Sequence, residues 1–288
     1  MSVPLRKGLG LALLLFAIGT GVGQSPAKPS APKKLLMWKA VSGDRVEYLV
    51  GSIHVGTADM YPLPKVMTDA FNRSKVLVEE LSLDDVDQGQ VMKFVQADGM
   101  YKNGDTLWNH LDKATADEAK KFFAKYGLPE VAVGAFKPWL AAMTASVAPS
   151  LKGGMKGTLG IDQHFSALAK AQKKQFVAAE SVDFQLKLLA SLPTDEAIAF
   201  LKYQIEVEAK QDDQMGDIVK LWKSGDADAL DMTLNYVPVN LEPMMKRILY
   251  DRNPHMADVA EKYLKSGGPC FLLSAPATWS GRAGWWRF

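Results

Sequence analysis

The chain has 288 residues, 48% of them hydrophobic and 23% charged, which is enough for one large domain or two small ones. A formal net charge of +2, with lysines scattered along the sequence, gives no electrostatic case for nucleic acid, which requires a clustered basic face. The single cysteine, Cys270, excludes an internal disulfide framework and a cysteine-rich metal site, and reads as a small buried residue beside a C-terminal strand.

Residues 1–23 have the form of a secretory signal peptide. Arg6 and Lys7 supply the positive start, Leu9 to Ile18 the apolar core, and Gly21 and Gly23 the small residues of a cleavage site. The apolar run is too short to span a bilayer comfortably, so no stable membrane span is expected after signal removal. Residues 24–34 are rich in Pro, Ser, Ala and Lys and read as a disordered lead-in. The mature protein is therefore expected to be exported, periplasmic or secreted. A domain of this size needs no disulfide staples there.

Leu35 to Val41 and Arg45 to Ile53 read as strands joined by a hairpin at Ser42-Gly43-Asp44. The second strand runs into Gly51-Ser52-Ile53-His54. Pro64 suits the first turn of a helix reaching about Asn72, with Val66, Met67, Ala70 and Phe71 on one face. A strand over 75–80 then ends in Glu79-Glu80, completing a β-β-α-β unit. Imidazole and carboxylate are ordinary ligands for a divalent ion, and sites in open α/β sheets lie at the strands' carboxyl ends. On spacing alone the plainer reading is stronger: a histidine that caps a strand, and two glutamates facing water.

From Leu83 to Ala148 the pattern is helical, with His110 as a surface residue. Pro138-Trp139 opens an apolar segment, Leu140 to Val147, whose small residues predict a buried, tightly packed helix. Gly153 to Gly160 holds four glycines and reads as a linker, a helix boundary or a lip over a site. Gly160-Ile161-Asp162 opens a helix to about Ala171. Asp162 is there either a first-turn carboxylate favoured by the helix dipole or a polar group of a cleft, and His164 is incidental. Gln175 to Ala179 is a candidate strand with Glu180 after its end. The following hundred residues are mostly helix, including a long amphipathic one starting at Thr194. Leu241 to Arg252 ends near Pro254, and Met256 to Lys265 stops at Gly267-Gly268. Arg252-Asn253 stands out, because a fixed guanidinium beside a helix break can orient carboxylates or an anionic group of a substrate.

Taken together, Leu49-Val50-Gly51-Ser52-Ile53-His54, Pro62-Leu63-Pro64 with Ala70, and Val76-Leu77-Val78-Glu79-Glu80 resemble the opening of the TraB/GumN family. That family includes pheromone-shutdown proteins, products of exopolysaccharide gene clusters and the Tiki metalloproteases. The likeness continues through Lys137-Pro138-Trp139, Gly160-Ile161-Asp162, Ala179-Glu180 with Gln185, and Arg252-Asn253 with Met256, covering roughly residues 35 to 271. The resemblance implies an α/β fold, with a small mixed sheet carrying Gly-x-x-His strand ends and wrapped by many helices. It implies a divalent-metal-dependent hydrolase acting on a peptide or protein substrate, the metal held by His54, Glu79 and Glu80. Glu80, Glu180 and Arg252 would be the catalytic base and charge clamp, with Gly51, Ser52, Asp162 and Asn253 lining the cleft. The alternative within the same family is a peptide-sequestering protein without turnover.

After Pro269-Cys270-Phe271-Leu272 the family pattern calls for a second Gly-x-x-His. The chain instead reads Leu273-Ser274-Ala275-Pro276-Ala277-Thr278-Trp279, with Trp285-Trp286 further on, so residues 273–288 form an aberrant tail to a domain over 35–272. The genetic code offers a reason. Back-translated from Ser274 with G or C at free third positions and read one nucleotide earlier, the segment becomes Val-Gly-Ala-Gly-His-Leu-Val-Gly. A frameshift near Leu273 is therefore expected, with Thr278 standing where the second histidine belongs. Such a chain would bind metal weakly, because catalytic sites commonly hold their ion with three protein groups.

Overall fold

The computed structural model describes residues 34–82, 86–152, 155–210, 214–235, 238–266 and 269–275. The expected signal peptide, all of the lead-in but Lys34, and the tail beyond Ala275 lie outside the described residues. The chain opens with a hairpin, β1 (Met37–Ser42) and β2 (Arg45–Gly51), closed by a two-residue turn in which Gly43 adopts φ +60°. Next come α1 (Lys65–Arg73) and β3 (Val76–Glu79), a strand buried along its whole length. A helical stretch follows: α2 (Gln88–Phe94), α3 (Lys113–Lys125), α4 (Glu130–Gly134), α5 (Pro138–Lys152) and α6 (Ile161–Ala171). The edge strand β4 (Gln175–Ala178) precedes α7 (Val182–Ala190), α8 (Thr194–Ala209), α9 (Gln214–Ser224), α10 (Ala227–Asn235), α11 (Glu242–Met245) and α12 (Asn253–Ser266), and β5 (Cys270–Ser274) comes last.

The sheet order is β1-β2-β5-β3-β4. β5, the last strand in sequence, lies at the centre, parallel to both neighbours, with Phe271 opposite Tyr48 on one side and Leu77 on the other. β3 and β4 are also parallel, so only the edge strand β1 runs antiparallel. A strand flanked on both sides and covered on both faces reads as an unbroken apolar run, and Cys-Phe-Leu-Leu-Ser is buried throughout. The mixed sheet matches the expected fold class. Its strands come not only from the two ends of the chain, however, since β4 is supplied from the middle.

One sheet face packs Val50, Leu77 and Phe271 against Met67 and Phe71 of α1, Phe165 of α6 and Trp222 of α9. The other packs Val76, Val78 and Leu272 against Met256 and Ala260 of α12. A third core is built from helices alone. Ala141, Ala142 and Ala145 of α5 let α8 approach closely with Phe200 and Leu201, as the small-residue segment predicted. Two local features were not visible in the sequence. The run Leu241 to Arg252 is broken into a 3-10 turn, α11 and a π turn (Lys246–Tyr250), and α12 begins at Asn253 with Pro254 in its first turn. No helix among the described residues is long and apolar enough to cross a membrane.

Glu47 sits opposite Cys270 in the β2–β5 register and is 1% exposed. Burial pushes its carboxyl up to about 8, only partly opposed by the hydrogen bond from the Cys270 thiol, and its Oε1 has no partner. The folded state therefore holds a proton that the unfolded chain releases near the ordinary value of 4.5. Stability is full below that value and falls as pH rises through about 8. Glu47→Gln should flatten this fall, removing a slope of up to about 1.4 kcal/mol per pH unit. Urea denaturation at a series of pH values measures it directly.

Candidate functional site

Parallel strands end on the same side, and the ends of β2, β5, β3 and β4 bring together His54, Ser274, Glu80 and Glu180. His54 lies three residues past Gly51 in a loop that is stitched to the start of α6. Ile161 N–H donates to Ile53 C=O at 2.9 Å, and Gly56 and Lys156 exchange backbone hydrogen bonds at 3.1 Å. The Tyr61 hydroxyl donates to Leu159 C=O at 2.9 Å. Two glycines permit this contact. A Cβ on Gly56 would meet Leu159 O at 2.1 Å, and one on Gly160 would meet His54 O at 2.5 Å and Asp162 Oδ1 at 2.8 Å. Gly51 and Ser52 contribute through their backbone: Gly51 C=O accepts from Trp222 Nε1 at 2.7 Å and Ser52 N–H donates to Ser274 C=O at 2.8 Å.

The stitching delivers His54 Nδ1 to within 2.6 Å of Asp162 Oδ2. Both side chains are mostly buried, at 18% and 6% exposed. Burial alone would make His54 harder to protonate, but the Asp162 carboxylate, with Glu80 behind it, outweighs this and holds its pKa above the ordinary value. In the neutral ring the Nδ1 proton goes to Asp162, leaving the Nε2 lone pair as a base or ligand. Asp162 is thus the partner of His54 as well as a first-turn carboxylate of α6, where it keeps the helix-dipole benefit.

The two adjacent glutamates part company, as successive residues of a strand must. Glu79 turns towards α6, where Ser166 Oγ lies 2.9 Å from each of its carboxyl oxygens. Glu80 turns towards α12. Its Oε1 accepts from Ser274 Oγ and from Ala275 N–H at 3.1 Å, and its Oε2 lies 3.5 Å from Arg252 Nη2. Burial would raise the Glu80 carboxyl, but Arg252, His54 and these hydrogen bonds bring it below its ordinary value, so it stays ionised. Glu180 is gripped in bidentate fashion by Arg252, Nε to Oε1 at 2.9 Å and Nη2 to Oε2 at 2.5 Å, and Gln185 Nε2 donates to Oε2 at 2.8 Å. The guanidinium is therefore spent on orienting carboxylates. Asn253, 3% exposed, follows Arg252 into α12 and leaves its Nδ2 without a partner.

The structure brings all the expected cleft residues to one end of the sheet but does not assemble the implied metal ligands. Among the described residues no three His, Cys, Asp or Glu side chains come together to hold an ion. Glu79 and Glu80 point apart, and both, like Glu180, are already committed to protein donors. The ring Nε2 of His54 is the ligating atom that carries no hydrogen bond here. Three contributors escaped the sequence reading: Ser166, Tyr61 and Ser274. Ser166 had a usable signal, since it lies four residues after Asp162 and so shares its helix face. Tyr61 had none.

The profile described as TraB/PrgY/gumN family matches residues 36–273. The chain belongs to that family. Similar curated proteins are the uncharacterized protein YbaP of Shigella flexneri and that of Escherichia coli strain K12. Each is 24% identical over 168 residues, covering 57% of this chain and 60% of the relative. The match thus spans about three fifths of each relative's length. No solved structure matches.

Asp162→Asn should lower the His54 pKa, because it removes the main charge that raises it; imidazole proton shifts followed by NMR across the acidic to neutral range report this. Gly160→Ala should destabilise the fold by about 1–3 kcal/mol through overpacking against the His54 carbonyl. Thermal unfolding reads that loss, and an unchanged midpoint would mean that the two loops are not held together as described.

Proposed function

We propose that this TraB/PrgY/gumN protein is exported and uses the strand-end cluster as a peptide-binding cleft, with hydrolysis impaired. Intact relatives would use the same cleft for divalent-metal-dependent hydrolysis. The observation that carries the reading is the commitment of every cleft carboxylate to a donor within the protein. Arg252 neutralises Glu180 and Glu80, Ser274 and Ala275 cap Glu80, and Ser166 holds Glu79. Catalytic metal centres commonly need three protein ligands and an open position. His54 supplies one, and Thr278 of the chain as written stands where the second histidine of the family pattern belongs. Catalytic roles for Glu80, Glu180 and Arg252 belong to the frame-restored chain. In the chain as written the three form a closed charge network that shapes one wall of the cleft. Peptide binding without turnover is favoured over a purely structural role because Asn253 Nδ2 and Asp162 Oδ1 remain without partners among the described residues.

Calorimetric titration with Zn²⁺ and Mn²⁺ tests the reading. The chain as written should bind weakly. A version carrying Val-Gly-Ala-Gly-His-Leu-Val-Gly from position 274 onward should bind at least about tenfold more tightly, and His54→Ala in that background should abolish the gain. Equal affinity in both forms, or a gain indifferent to His54, overturns it. Mass spectrometry of the exported product should find an N-terminus near Gln24.

A further inference from the structure

A second surface feature lies away from the strand-end cluster, beside β1, the edge strand among the described residues. A groove of about 580 Å³ is lined by Leu35, Met37, Trp38, Lys39, Tyr48, Val66 and Arg73. Met37, Trp38 and Lys39 are consecutive, and successive residues of a strand face opposite sides of the sheet. Lys39 and Tyr48 are cross-strand partners and Val66 and Arg73 belong to α1, so the groove lies beside β1 on the α1 side of the sheet. The register gives the state of that edge. Gly51 N–H donates to Leu36 C=O at 2.9 Å, and Ser42 pairs with Arg45 across the turn. Antiparallel pairs alternate between bonded and non-bonded, so Trp38, Ala40 and Ser42 direct their main-chain groups to β2. Met37, Lys39 and Val41 direct theirs outward, where they meet no partner among the described residues.

The surroundings select the chemistry of a partner. Lys39 and Arg73 stand on the strand and on α1 respectively, and neither has a carboxylate partner among the described residues. Val41 and Val66 are 58% and 49% exposed, leaving apolar surface beside the two cations. Charges on an edge strand guard against pairing with a like strand, and here two cations discourage a second copy of β1, which carries Lys39 itself. The same cations attract an acidic strand. We propose that the outer edge of β1 is a docking site for an extended acidic peptide segment with alternating apolar residues, added as a sixth strand. Main-chain hydrogen bonds to Met37, Lys39 and Val41 give affinity in this arrangement, and Lys39 and Arg73 give the choice of charge. The site is independent of the strand-end cleft, and its test does not involve that cleft.

The probe is the acetylated, amidated peptide Glu-Val-Glu-Val-Glu-Val-Glu added to the full chain. It should slow amide exchange at Met37, Lys39 and Val41. Lys39→Glu combined with Arg73→Glu should weaken binding at least about tenfold and transfer preference to Lys-Val-Lys-Val-Lys-Val-Lys. An analogue N-methylated at alternate residues, which keeps the charges but cannot complete the ladder, should lose binding. Undiminished binding of that analogue, or of the acidic peptide to the double variant, overturns the proposal. So does protection that leaves these three amides unchanged, or protection at them that grows with protein concentration alone, which would make a second copy the occupant.

Discussion

Insertion of β5 between β2 and β3 is the constraint on which the rest of the molecule depends. The strand that completes the sheet is made last, and it pairs with segments about two hundred residues earlier through Tyr48–Phe271 and Leu77–Phe271. Parallel neighbours require crossovers, and the helices that make those crossovers also cover the two faces. Because β2, β5, β3 and β4 all point the same way, whatever follows each strand arrives on one side. The polar cluster is thus a consequence of topology before it is a consequence of chemistry.

Bringing charge to that side has to be balanced, because an unpaired buried ion is far more expensive than a paired one. The balance is visible. Arg252 is buried between two carboxylates, His54 is paired with Asp162, and Glu80 takes two further hydrogen bonds from the end of β5. Burial disfavours the charged guanidinium, but Glu80 and Glu180 more than compensate and hold its pKa above the ordinary value. The cluster is consequently stiff, since moving one member exposes the charge of another. The same logic separates Glu47, at the opposite ends of the strands. It has no cation to balance it and remains buried by keeping its proton.

Much of this was legible in the sequence, and for identifiable reasons. All five strands announced themselves by short apolar runs bounded by turn or polar residues, and the strand-end positions of His54, Glu80 and Glu180 followed from where β2, β3 and β4 stopped. The direction of the side chains did not follow as readily. Glu79 and Glu80 are adjacent and were taken together as ligands, yet a strand sends neighbours to opposite faces, so one meets Ser166 and the other Arg252. The break in the run Leu241 to Arg252 was hidden because its apolar spacing fits a single helix, while tertiary contacts impose a π turn that aims Arg252 inward. Tyr61 and the two loop glycines act through backbone approach, which side-chain periodicity does not encode.

The end of β5 supplies donors to Glu80 as well as pairing with its neighbours. The Ser274 hydroxyl and Ala275 N–H fill lone pairs of Glu80. The shifted reading of the same codon gives valine, which has no hydroxyl, and glycine after it keeps only the backbone donor. Glu80 is therefore occupied from two sides, by the end of β5 and by Arg252. On the proposed reading, an imidazole at position 278 alone would leave the Ser274 hydroxyl on Glu80, whereas the frame restored from position 274 would also remove that hydroxyl. Most polar atoms of the cluster are satisfied from within, Asp162 Oδ1 and Asn253 Nδ2 being the exceptions among the described residues. The strand end keeps its hydrogen bonds, and the central strand remains buried through Ser274.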